Sequence, residues 1–150
     1  MSLEQDIKQK AFSSEIEKAI VNINFTHSYF AGLLNSSLKQ HNISIQQFNV
    51  LRILKGSHPK PVSVNDITDR MIDKMSNASR LVEKLRLKGL ISRNTCLFDK
   101  RQVDVSITEE GQDLLKKLNE LTLEVIAGHS HLSDQELVEL NATLDKIRKK

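Results

Sequence analysis

Between residues 12 and 40, apolar side chains return at Ile16, Ile20, Ile23, Phe30 and Leu34, with His27 in the same register, in steps of 4, 3, 4, 3 and 4. That period draws one stripe along a long helix. The stripe is longer than a small domain covers by itself and points to a partner helix from another subunit. A second helix opens at Ser44-Ile45-Gln46-Gln47, a capping box, and buries Ile45, Phe48, Leu51 and Leu54. Gly56, Pro59 and Pro61 end it in a loop. Ser63-Val64-Asn65-Asp66 caps a short helix that reaches about Ile72. Asp73 then caps a basic helix running to Lys88, with Gly89 at the C′ position. Two short helices across a tight turn, the second basic, have the layout of a helix-turn-helix.

The period then changes. Val103, Val105 and Ile107 alternate with Gln102, Asp104 and Ser106, which predicts a half-buried strand. Residues 91–96 supply its partner, and Leu97-Phe98-Asp99-Lys100-Arg101 the polar-tipped turn between them. A helix pair followed at once by a hairpin describes a winged helix. Thr108 caps a further helix to about Gly128, with Leu114, Leu118, Leu121 and Val125 in one stripe. Ser133-Asp134-Gln135-Glu136 is a capping box for a last helix carrying Leu137, Leu140, Leu144 and Ile147 on one face. The predicted fold is mainly α with a small β-hairpin wing, a winged helix-turn-helix with long N- and C-terminal dimerisation helices.

Composition narrows the function. The 150 residues suit one domain, and with 4% aromatics and no Trp the core must come from Leu, Ile and Val. Net charge is only +3, but residues 52–101 carry +7 while residues 102–150 carry −4. A basic block of this kind is the footprint expected of a polyanion partner; a solvated basic face is the alternative. The single cysteine, Cys96, excludes a disulfide framework and a Cys-rich zinc site. There is no secretory signal and no apolar run of the ~18 residues a membrane span needs, so a cytoplasmic protein without a membrane partner is expected. No glycine-rich phosphate loop, metal-spaced His/Glu cluster or nucleophile with a placed base occurs, which argues against an enzyme and against a cofactor or metal.

The run Asp99-Lys100-Arg101-Gln102-Val103-Asp104-Val105-Ser106-Ile107-Thr108-Glu109-Glu110-Gly111 resembles the wing signature of the MarR family, D-x-R-x-x-x-V-x-[LI]-T-x-x-G, at every fixed position. Ser79-Arg80-Leu81-Val82-Glu83-Lys84-Leu85, followed by Lys88-Gly89-Leu90-Ile91, resembles that family's recognition helix and its exit. The likeness spans about residues 12 to 148. It implies a homodimeric winged helix regulator, commonly a repressor, released from DNA by a small organic effector or by oxidation. The family's oxidation sensors carry their reactive cysteine near the N-terminus, where this chain has none, so Cys96 is not expected to sense peroxide. The resemblance divides the single domain, 1–150, into a DNA-binding lobe at about 44–111 and dimerisation helices at about 12–40 and 112–150.

On a helix over 74–88, Ala78, Leu81, Val82 and Leu85 face inward and Ser76, Asn77, Arg80 and Lys84 face outward. Ser76 and Asn77 suit base edges, Arg80 a guanine and Lys84 a phosphate, with Ser79 added by the resemblance. Glu83 is discordant there and suits a pairing with Arg80, Arg86 or a neighbouring lysine. At the wing, Arg101 suits the minor groove, Lys100 a phosphate, and Asp99 the turn or a hold on Arg101. Thr108 and Gly111 read as structural, a cap and a close approach to the hairpin. His27 is the candidate effector ligand because the family's cavity lies between long helices and winged lobe; a core or interface histidine is the commoner alternative. The expected partners are therefore a pseudo-palindromic double-stranded operator, a second copy of the chain and a small organic effector. The competing functions are a DNA-binding dimer without an effector and a helical interaction dimer that has lost DNA binding.

Overall fold

Side-chain caps set where the helices start. Ser14, Ser44, Ser63, Asn77, Thr108 and Ser133 each accept a hydrogen bond from the backbone N–H three residues on, satisfying a donor that the first turn leaves open. The computed structural model describes residues 2–95 and 103–149. After a one-turn α1 (Leu3–Asp6) come α2 (Glu15–Lys39), α3 (Ile45–Ser57), β1 (Val62–Ser63), α4 (Val64–Arg70), α5 (Ala78–Leu87), β2 (Ile91–Thr95), β3 (Val103–Ile107), α6 (Glu109–His129) and α7 (Asp134–Ile147). This is the predicted winged helix, mainly helical with a small antiparallel sheet.

The sheet runs β1-β3-β2, with Val62 opposite Val105 and Ile91 opposite Ile107. These four side chains are buried and close one face of the core. Behind them lie Leu51 and Leu54 of α3, Ile67 of α4, Val82 and Leu85 of α5 and Leu118 of α6, none more than 2% exposed. Leu38, fully buried, anchors the end of α2 to this cluster.

Two backbone devices aim α5 and the wing. At the end of α5 the N–H of Gly89 bonds Arg86 O at 2.9 Å and that of Leu90 bonds Leu85 O at 3.1 Å, a Schellman closure made possible by φ +71° at Gly89. Gly111 then lets α6 press on the chain entering β2: a Cβ there would stand 2.1 Å from the Leu90 carbonyl oxygen. Thr108 joins both, accepting from Gly111 N–H and donating to Gly89 O at 2.8 Å.

Several boundaries differ from the sequence reading. The first helix of the pair stops at Arg70 rather than near Ile72, and Asp73 does not cap α5. Residues 71–77 form a turn, and the cap is Asn77. Strand β1 was not anticipated, because two residues after Pro61 carry no period. On α6 the buried residues are Gly111, Leu115, Leu118 and Thr122, with Leu114 and Leu121 half-buried, so the stripe is turned slightly from the one predicted. In α7 no residue is buried, and among the described residues all the exposed large apolar side chains except Ile72, Met75 and Leu87 lie on α2, α6, α7 or the 130–133 link. No helix among the described residues is long and apolar enough to cross a membrane.

Candidate nucleic-acid interface

Between α4 and α5 the turn is tied down atom by atom. Asn49 on α3 accepts the Ile72 N–H through Oδ1 at 3.0 Å. The Asp73 carboxylate accepts the Met75 N–H at 3.0 Å and the Ser76 hydroxyl at 2.9 Å. Lys74 donates to the Asp69 carbonyl, and Met71, 2% exposed, plugs the turn into the core. One residue later Asn77 Oδ1 accepts the Arg80 N–H at 3.0 Å. Polar groups that would otherwise solvate separately thus fix the entry of α5 relative to α3 and α4.

Ala78, Val82 and Leu85 are buried and Leu81 half-buried, as the helical wheel predicts. Asn77, Ser79, Arg80 and Lys84 are exposed, and Ser76 is half-buried. Ser76 and Asn77 therefore precede the helix instead of riding on it, and both are partly engaged, Ser76 with Asp73 and Asn77 with the helix start. Glu83 resolves its discordance by pairing with arginines other than Arg80. It accepts two hydrogen bonds from Arg86, at 2.7 and 3.0 Å, and lies 3.8 Å from Arg93 of β2. The Arg86 hydrogen bonds, then the charges of Arg86 and Arg93, hold the Glu83 carboxyl below its usual value. Among the described residues neither Arg80 nor Lys84 has an acidic partner within 4 Å. The exposed side of α5 thus offers uncompensated positive charge on a rigid element.

Strands β2 and β3 carry the chain to and from the wing tip. Asp99, Lys100 and Arg101, and with them Cys96, lie outside the described residues. His27 is exposed on α2, not a core histidine, and lines a cavity of about 280 Å³ with Asn35, Ile45, Asn49, Ile72 and Asp73. Asn49 and Ile72 are additions that the sequence reading missed; the one available signal was an asparagine flanking the apolar stripe of α3. Among the described residues no three His, Cys, Asp or Glu side chains are grouped to hold a metal ion.

Residues 32–118, from within α2 to within α6, match the family model described as transcriptional regulator SarA/Rot. The HTH-type transcriptional regulator MgrA of Staphylococcus aureus is 28% identical over 113 residues, covering 75% of each chain. Among solved structures, a MarR transcription factor from Planctomyces limnophilus superposes with TM-score 0.69 and 29% identity, over 90% of this chain and 98% of that one. BpsR of Bordetella bronchiseptica, whose DNA binding is regulated by 6-hydroxynicotinic acid, has the same fold, with TM-score 0.74 at 16% identity over 88% and 99% of the two chains. These relatives are regulators, not enzymes. The chain belongs to the SarA/Rot family of transcriptional regulators, DNA-binding proteins of the MarR winged helix type.

Proposed function

We propose that the protein is a cytoplasmic, homodimeric repressor that binds a pseudo-palindromic duplex and is released from it by a small organic effector. The observation that carries this reading is the locked turn before α5, which presents Arg80 and Lys84 on an exposed helix face, without acidic partners among the described residues. In a major groove Arg80 pairs with a guanine edge, Ser76, Asn77 and Ser79 approach bases or sugar, and Lys84 meets a phosphate. Arg101, with Lys100 and Asp99, serves the neighbouring minor groove. Residues 44–111 form the DNA-binding lobe. The segments 12–40 and 112–150 pair two copies, for which the uncovered apolar faces of α2 and α7 are the support.

The effector reading rests on the cavity beside His27. Its volume of about 280 Å³ is at the small end of ordinary ligand sites. Its wall includes Asn49, Ile72 and Asp73, the groups that fix the turn ahead of α5. A ligand held at His27 that donates to Asn49 Oδ1 competes with the Ile72 N–H for that oxygen, and so shifts α5 against the rest of the lobe. The regulation of BpsR by 6-hydroxynicotinic acid is a precedent for this fold. The decisive experiment is a gel shift on the DNA upstream of the protein's own gene, followed by thermal shift and release assays with single-ring aromatic acids. Retarded, salt-sensitive complexes that a stabilising ligand dissociates are expected. A folded protein with no preference for that DNA over random duplex would end the DNA reading, and His27→Ala with unchanged ligand release would end the effector site.

A further inference from the structure

A larger cleft, about 640 Å³, opens where the end of α2, the start of α3 and the last turn of α5 meet. Its charged lining consists of Lys39, Lys84 and Lys88, and among the described residues no carboxylate lines it. None of the three ammonium groups has an acidic partner within 4 Å among the described residues. Lys88 is built into the wall. It donates to the Asn42 carbonyl and, at 3.3 Å, to Oε1 of Gln47. Gln47 is itself only 5% exposed, and its Oε1 also accepts the Ser44 N–H at 3.1 Å. Neutral oxygens therefore anchor the Lys88 ammonium in a cleft that two other lysines line. Burial first, and the Lys84 charge second, push the Lys88 ammonium pKa down. The Lys84 charge thus disfavours the charged form of Lys88 until an anion enters.

We propose that this cleft seats a phosphoryl group, carried by a small phosphorylated molecule or by the DNA backbone, with Lys39, Lys84 and Lys88 as its cationic ligands. One carboxylate would leave most of this positive charge uncompensated, whereas a phosphomonoester carries close to two charges, and a backbone phosphodiester carries one with further phosphates beside it along the strand. The amides of Asn35 and Asn42 supply neutral donors at the same wall. The volume exceeds what a bare phosphate needs, leaving room for the group attached to it. Lys84 also belongs to the exposed side of α5, so a small phosphorylated ligand here competes with DNA for one cation. The cleft shares Asn35 with the cavity beside His27 but none of its lysines, and its free-phosphate form does not depend on the DNA reading.

The test uses Lys39→Gln, whose ammonium makes no hydrogen bond among the described residues, and the double variant Lys39→Gln/Lys88→Gln, each checked by circular dichroism. Thermal melts are compared in sodium phosphate and in sodium chloride of equal ionic strength. The parent is expected to melt higher in phosphate, and both variants to lose most of that difference; this identifies a free phosphoryl ligand. In parallel, DNA affinity is titrated with salt. Loss of a backbone phosphate lowers the slope of log K against log salt by about 0.9 per contact, about 1.8 for a dimer, and a change of that size identifies the backbone as the source. A parent indifferent to phosphate, together with a slope unchanged in Lys39→Gln, overturns the proposal. Complete absence of DNA binding would refute the regulator reading, while the phosphate melts would still decide the cleft.

Discussion

Asn77 allows the cap and the DNA face of α5 to be tested separately. Its Oδ1 accepts the Arg80 N–H at 3.0 Å, and α5 is only ten residues long, so the cap governs the turn that carries Arg80. Alanine removes the acceptor, which costs about 1 kcal/mol at such positions. For a chain of this length that corresponds to a fall of roughly 2–4 °C in Tm. Aspartate keeps the acceptor and adds a negative charge at the helix N-terminus, favourable by ~0.3–1 kcal/mol. The Asn77→Asp protein should therefore melt at or above the parent. On DNA the order reverses: alanine loses a contact, whereas aspartate sets a carboxylate among phosphates. Calorimetry for stability and fluorescence anisotropy for affinity, in one buffer at pH 7, read both effects. An Asn77→Asp protein as unstable as Asn77→Ala would refute the cap. An Asn77→Asp protein that binds DNA as the parent does would refute the placement of this residue at the nucleic-acid surface.

The other expectations concern packing, pH and assembly. Gly111→Ala must push α6 or the Leu90 carbonyl aside by more than 1 Å to reach an ordinary contact, so a loss of about 1–3 kcal/mol is expected in urea unfolding; an unchanged midpoint would contradict the close approach. The Glu83 carboxyl is depressed below 4.5 in the folded chain, chiefly by the Arg86 hydrogen bonds, so its pairing supports the fold above the unfolded value and is lost as pH falls through the lower folded one. An NMR titration of Glu83 with a midpoint at or above 4.5 would be the contrary result. Sedimentation should find a dimer at micromolar concentration, and Leu140→Glu on the uncovered face of α7 should shift it to monomer; a parent that sediments as a stable monomer would remove the dimer from the account.

The sequence carried those parts of the fold that rest on local chemistry. Ser44, Ser63, Thr108 and Ser133 each start a helix as predicted, because a cap is decided within four residues. Gly89 and Gly111 were legible because one must hold positive φ and the other must admit a neighbouring carbonyl. The errors lay where tertiary contacts choose between local options. Asp73 and Asn77 are both good caps; the Asn49 bond to Ile72 and the burial of Met71 hold residues 71–77 in a turn and hand the cap to Asn77. Strand β1 exists only because Val62 finds Val105 across the sheet. At the interface, the exposed cations of α5 and the Glu83–Arg86 pair, three residues apart, could be read from helical period, but the approach of Arg93 to Glu83 depends on where β2 lies. The cavity beside His27 and the lysine cleft are assembled from three or more elements, and no spacing along the chain displays them.

In the proposed complex α5 reads base sequence while the wing clamps the backbone or minor groove. A salt titration of Arg80→Ala and Arg101→Ala on a selected operator and on a scrambled duplex tests it most directly. Arg80→Ala should lose about 1–3 kcal/mol more on the operator than on the scrambled duplex, the discrimination of one arginine–guanine pair. Arg101→Ala should weaken both duplexes by similar factors and lower the salt slope by about 0.9 per protomer. If Arg80→Ala instead weakened both duplexes equally and Arg101→Ala erased only the operator preference, reader and clamp would be reversed and the account of α5 as the sequence-reading helix would be wrong.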